Sequence, residues 1–177
     1  IEQTSLDKEG KETFTIYGKD GEPVSRRESD QDGKRIAEVV FSKDSLGNMV
    51  QTRTDAEGHV DETRFLPDGS AVRRSKDGQG NVVAISYNAA GEPVSRGEWD
   101  KDGALVAMVA YATDSDGVKT QTRTDNQGNV EETRILADGS LEQTLRDKEG
   151  KETLTLFNKD GEAVSRRESG KEGNLIA

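Results

Sequence analysis

Three short motifs carry the spacing that calcium chemistry asks for: Asp30-Gln31-Asp32-Gly33, Asp100-Lys101-Asp102-Gly103 and Asp114-Ser115-Asp116-Gly117. Two carboxylates two residues apart, ahead of a glycine, open the loop of a helix–loop–helix calcium site, which gathers about six to eight oxygens. That loop closes on a glutamate about six residues past its glycine. Those places hold Val39, Val109 and Arg123, so the loop cannot close. The glycine-rich pattern of a calcium β-roll is also absent. Asp30, Asp32, Asp100, Asp102, Asp114 and Asp116 are left as weak calcium candidates whose simpler use is to open turns.

Other chemistry has little to work with. His59 is the single histidine, it follows a turn glycine, and one block later its place is taken by Asn129; it reads as a turn residue. Trp99 stands where Ser29 and Ser169 stand in the other copies, and reads as a cover over an apolar patch. Ser25-Arg26, Ser95-Arg96 and Ser165-Arg166 recur in all three copies, which fits a strand face with charge pairing between strands. Carboxylates are abundant, but an acid–base pair needs a pocket that desolvates it. With no Cys and one His, thiolate chemistry and a repeated Ser–His–Asp arrangement are both out. The glycines end turns and open no helix, so neither a P-loop nor a dinucleotide fingerprint is present. No enzymatic activity and no cofactor is expected.

The elements that would position any site follow from the repeat. Fifteen glycines fall in phase: Gly10, Gly21, Gly33, Gly47, Gly58, Gly69, Gly80, Gly91, Gly103, Gly117, Gly128, Gly139, Gly150, Gly161 and Gly173. Their spacing of 11 to 14 residues itself repeats after every sixth unit. Residues 1–70 match 71–140 at 33 positions without gaps, and 1–37 match 141–177 at 24. The chain therefore reads as one continuous array of three blocks, 1–70, 71–140 and a partial 141–177. Three residues before the glycine stands Asp or Asn in 11 of the 15 units. That is the grammar of a type I turn followed by a left-handed glycine, which closes a β-hairpin.

About seven residues remain between turns, enough for one short strand and too few for a helix of usual length. Thr13-Phe14-Thr15-Ile16-Tyr17 and Thr153-Leu154-Thr155-Leu156-Phe157 alternate and favour β-formers. The 14-residue unit of each block holds its longest apolar segment, Lys34–Ser42 or Ala104–Ala112, and predicts a longer strand or a bulge. The fold class is all-β: an antiparallel meander of about 14 to 15 short strands, extended or spiralling. Single-layered, spiral and closed sheets all remain open. Val24-Ser25-Arg26-Arg27-Glu28 has one aliphatic residue in five, so much of at least one face must be wet.

Composition bounds the role. Hydrophobic residues are 30% and charged residues 34%, with 19 Gly and a net charge of -10. The acidic balance argues against nucleic acid, which needs a basic face. The longest apolar run, Ala104 to Ala112, is half of what a membrane helix needs. Low hydrophobicity also fits disorder, but a strict repeat does not.

Thr54-Asp55-Ala56-Glu57-Gly58, Thr124-Asp125-Asn126-Gln127-Gly128 and Tyr87-Asn88-Ala89-Ala90-Gly91 resemble, in rhythm, the bacterial RHS/YD repeats. That family shows Tyr-Asp before its turns and Gly-Arg after them; most of those tyrosines are missing here, and no phased glycine precedes an Arg. The resemblance implies a β-sheet shell from a large secreted or surface protein, in some cases enclosing a toxin. The expectations are a structural repeat segment, extracellular or at the cell surface, forming a stalk, fibre or shell wall. Its start at Ile1 and its partial third block suggest a piece of a longer array. Partners are then further array or other copies at the sheet edges, with filaments as the outcome. The competing expectation is an adhesin-type module that recognises glycan or host protein.

Overall fold

A computed structural model describes residues 1–171 and 173–176. It contains fifteen strands and, among the described residues, no helix. They are β1 (Glu2–Leu6), β2 (Glu12–Tyr17), β3 (Pro23–Ser29), β4 (Arg35–Lys43), β5 (Met49–Asp55), β6 (Val60–Phe65), β7 (Ala71–Lys76) and β8 (Val82–Tyr87), followed by β9 (Pro93–Trp99), β10 (Leu105–Thr113), β11 (Lys119–Asp125), β12 (Val130–Ile135), β13 (Leu141–Arg146), β14 (Glu152–Phe157) and β15 (Ala163–Ser169). Their order in the sheet is their order in the chain, one open antiparallel meander.

The turns explain the regularity. All fifteen phased glycines have φ between 75° and 95°, and each donates its N–H to the carbonyl three residues back at 2.8–3.2 Å. Gly58 is representative: at φ 85° any side chain would be strained. Ahead of it, Asp55 Oδ1 accepts the backbone N–H of Glu57 and of His59, both at 2.9 Å. Where Leu66 or Leu136 opens the turn, the carboxylate moves inside it. Asp68 and Asp138 then accept from the N–H and hydroxyl of Ser70 and Ser140.

By compactness the chain forms two units, which do not follow the block boundaries. The first holds residues 1–92 with 100–103, and the second holds 93–99 with everything from 104 onward. Within each unit, a strand lies beside the strands before and after it in the chain and, among the described residues, beside no others. Each unit is therefore one layer, with no second sheet to bury an apolar face.

Most of the small core sits on the longest strand of each unit, with Val50 of β5 and Val82 of β8 adding to it in the first. Ala37 and Val39 of β4 are fully buried in the first unit, as are Ala107 and all but 3% of Val109 of β10 in the second. Both nine-residue strands begin at an irregularity. Glu28 faces Ala37 and Ser29 faces Arg35, leaving Ile36 over; Glu98 faces Ala107 and Trp99 faces Leu105, leaving Val106 over. The extra residue keeps its carbonyl occupied. Ile36 accepts from Ala56 N–H and Val106 from Asn126 N–H, each at 3.0 Å. So the long strand and the bulge occur together, and the bulge ties the strand to the second turn along.

Candidate functional site

Among the described residues the most buried charged one is Glu28, 8% exposed, on the same face of the first unit as Ala37 and Val39. Three cations surround it: Arg26 on its own strand at 3.0 Å, Lys11 at 3.4 Å and Arg53 at 3.4 Å. Arg53 belongs to β5, two strands away. Register places Arg26 opposite Val39 and Val39 opposite Arg53. The long side chains of β3 and β5 thus meet over β4, and Ala37 and Val39 are small enough to lie beneath them. Long polar side chains shield apolar atoms with their stems while keeping charged ends paired or wet. Burial pushes the Glu28 carboxyl up, but Lys11, Arg26 and Arg53 outweigh it and hold the pKa below its ordinary value. Arg53 also stands opposite Asp61 of β6, whose carboxylate accepts from Ser75 and from Arg73. A charged chain therefore crosses β3, β5, β6 and β7.

The arrangement recurs. In the second unit Glu98 pairs with Arg96 at 2.9 Å and Arg123 at 4.0 Å over Ala107 and Val109. Glu168 pairs with Arg166 at 2.8 Å and Lys151 at 3.3 Å, and Lys151 leads the causes that lower its pKa. The recurrent Ser-Arg positions are thereby explained on the arginine side: Arg26, Arg96 and Arg166 each hold the glutamate two residues on. The pairing is within one strand as well as between strands. Arg26 and Arg96 each leave a buried Nε without a partner, so the guanidinium is placed by its glutamate at some cost. Chemically, a carboxylate held ionised by cations has no proton to donate, and its oxygens are already engaged.

The acidic calcium candidates do not converge. Asp30 Oδ1 accepts the N–H of Asp32 and Lys34, Asp100 Oδ1 that of Asp102, and Asp114 Oδ1 those of Asp116 and Val118. Each is engaged in its own turn, and Asp32, Asp102 and Asp116 are exposed.

A closer group lies where the sequence reading placed only a turn residue. Asp55, Glu57 and His59 bring one ligand atom each within 4.8 Å of one another. His59 Nδ1 lies 2.9 Å from Asp55 and 3.6 Å from Glu57. The alternation Asp-x-Glu-x-His was the available signal. The same geometry has a turn explanation: Asn48, Asn81 and Asn129 donate to Asp44, Asp77 and Asp125 at 2.8–3.0 Å from the equivalent position. His59 substitutes for asparagine. Its hydrogen bond to Asp55 raises its pKa, so any stability it adds is complete below the unfolded value and fades as pH rises through the folded one. An NMR titration of the single imidazole is expected to give a midpoint above about 6.5, the ordinary value. Asp55→Asn should bring it down. A wild-type midpoint at or below the ordinary value would contradict the geometry.

Two further features escaped sequence reasoning. Trp99, expected to cover an apolar patch, lies back over Gly97 on its own strand, where an added Cβ would stand 2.2 Å from the ring. And in the first unit, Phe65 faces Met49 on one side and Ala71 on the other, with Tyr87 beyond Ala71. This row leaves Phe65 44% exposed. Its signal in the sequence was the aromatic that ends alternate strands, Phe65 and Tyr87 here. No known protein family matches the chain, and no curated protein does.

Proposed function

We propose that the chain is a non-catalytic structural repeat segment of a large extracellular or surface protein, serving as part of a stalk, fibre or shell wall. The observation that carries this reading is the reuse of one device. In each block a strand glutamate is held by the arginine two residues before it, with the alanine and valine of the next strand beneath in both complete copies. A protein that rebuilds its stabilising centre once per block has distributed its stability along an array, as repeat proteins do. The hollows at Val24, Phe41 and Met49 and at Val130 and Leu145 are shallow surface grooves of about 300 Å3 and 290 Å3, poor places to desolvate a reacting group.

Such a segment associates with copies of itself or with further array through its sheet edges. Sedimentation velocity over a hundredfold concentration range tests this. The expected result is a growing series of larger species. A single monomer peak at every concentration would remove filament assembly from the reading. The exposed row around Phe65 favours the adhesin-type alternative. A glycan array with reproducible hits, lost in Phe65→Ala, would move the assignment there, whereas a blank array favours the scaffold.

A further inference from the structure

The turn that joins β5 to β6 departs from its sisters in a concerted way. The turns that open at Asp77 and Asp125 both read Asp-x-Gln-Gly-Asn, whereas this one reads Asp55-Ala56-Glu57-Gly58-His59. Glu57 stands for Gln127 and His59 for Asn129. A third difference lies on the next turn along the same edge of the sheet, where Gly78 takes the place of Lys148. A side chain at Gly78 would begin 3.7 Å from His59 Nε2, so the glycine keeps both bulk and an ammonium away from the imidazole. Asparagine alone would have closed the turn, as Asn48, Asn81 and Asn129 do. The three changes add a nitrogen ligand, add a carboxylate and remove a neighbouring cation. All three favour a bound metal ion.

The geometry agrees. Asp55 Oδ1 accepts the turn N–H groups of Glu57 and His59, which leaves Oδ2 to face His59 Nδ1 at 2.9 Å. Glu57 Oε2 lies 3.6 Å from the same nitrogen. A zinc-like ion with bonds of about 2.0–2.2 Å holds neighbouring ligand atoms about 2.8–3.6 Å apart in octahedral or tetrahedral coordination. Both separations at Nδ1 fall in that range, and all three ligand atoms lie within 4.8 Å of one another. We infer that Asp55 Oδ2, Glu57 Oε2 and His59 Nδ1 bind one divalent transition-metal ion of the zinc type, with water in the remaining positions. The ion takes the place of the proton between His59 and Asp55, and that proton leaves to solvent. Asp55 Oδ1 keeps its two N–H partners, so the turn stays closed. An imidazole nitrogen suits zinc, copper and nickel, whereas calcium and magnesium take oxygens. The site therefore differs in chemistry from the Asp-x-Asp-Gly turns. It needs neither a second copy nor further array, so it stands apart from the scaffold reading.

The probe is zinc chloride, titrated into the whole chain in a buffer that does not chelate it. Calorimetry reads the affinity, and NMR of the single imidazole reads the place. One saturable event per chain is expected, with the His59 ring signals moving as it saturates. Glu57→Gln and His59→Asn introduce the residue types already accepted at Gln127 and Asn129, so both variants should keep the turn. Each should bind zinc at least about tenfold more weakly, since even a group that only supports a metal ligand is worth about 10–100-fold in affinity. Calcium chloride at equal concentration should leave the ring signals in place. Ring signals that ignore zinc, unchanged zinc affinity in His59→Asn, or displacement of zinc by equimolar calcium would each overturn the proposal.

Discussion

Replacing Glu28 by alanine is expected to lower the unfolding free energy of the first unit by about 2–3 kcal/mol. That lies between the measured range for a broken buried ion pair and that for an exposed one. Lys11, Arg26 and Arg53 converge on this one carboxylate, so its removal leaves three like charges around a fully buried Ala37 and Val39. Glu98→Ala should cost less, since Glu98 has two partners and one of them stands at 4.0 Å. Urea unfolding of both variants beside the wild type makes the comparison. The pH dependence adds an independent check. The Glu28 pKa is lowered in the folded state, so its contribution is present above the unfolded value of about 4.3 and lost as pH falls through the folded one. The gap between Glu28→Ala and wild type should therefore close in acid. Equal losses for the two variants, or a gap that persists at low pH, would show that the cations do not depend on Glu28.

The second large effect concerns Gly97 and Trp99. Gly97→Arg restores the residue found as Arg27 and Arg167 in the other copies, yet it should destabilise by about 2–3 kcal/mol. The new Cβ falls 2.2 Å from the Trp99 ring, far inside any tolerable contact, and the ring must leave its place. Trp99→Ser alone should also cost stability, because it uncovers a glycine whose backbone the ring shields, a known weakness in strands. Making both changes together returns the pattern of the sister blocks. Its cost should be well below the sum of the two, a coupling of about 1–2 kcal/mol in a double-mutant cycle. Additive costs would mean that the tryptophan can swing away freely and that glycine and ring are unrelated.

Much of this fold was legible because its punctuation is chemical. A glycine every 11 to 14 residues with Asp or Asn three positions earlier specifies the turn, and the turn spacing specifies the strand. The 14-residue unit flagged β4 and β10 before their bulges could be seen. The glutamate centres were harder. Ser-Arg recurrence marked the place, but Glu28 and Arg53 are 25 residues apart and meet only because Ala37 and Val39 allow both side chains over β4. No local pattern encodes a meeting across an intervening strand; it requires the register of two hairpins. The partner of the turn residue His59 was hidden for a different reason. Its counterpart Asn129 was visible in the alignment, but reading the pair as equivalent needed the hydrogen bond that both donate to the turn aspartate. Trp99 was read as specific to its block and as a cover; that the ring lies over a glycine two residues away needed its placement in three dimensions.

The layer of strands that touch only their chain neighbours has a kinetic meaning. Sheets usually fold slowly because they close long loops before any contact rewards them. Here the widest described backbone hydrogen bonds, Ala56 to Ile36 and Asn126 to Val106, join residues only twenty apart. Every hairpin can form from its own turn and recruit the next, so this all-β chain should fold at the pace of a helical one, growing like a zipper in either direction from wherever it starts.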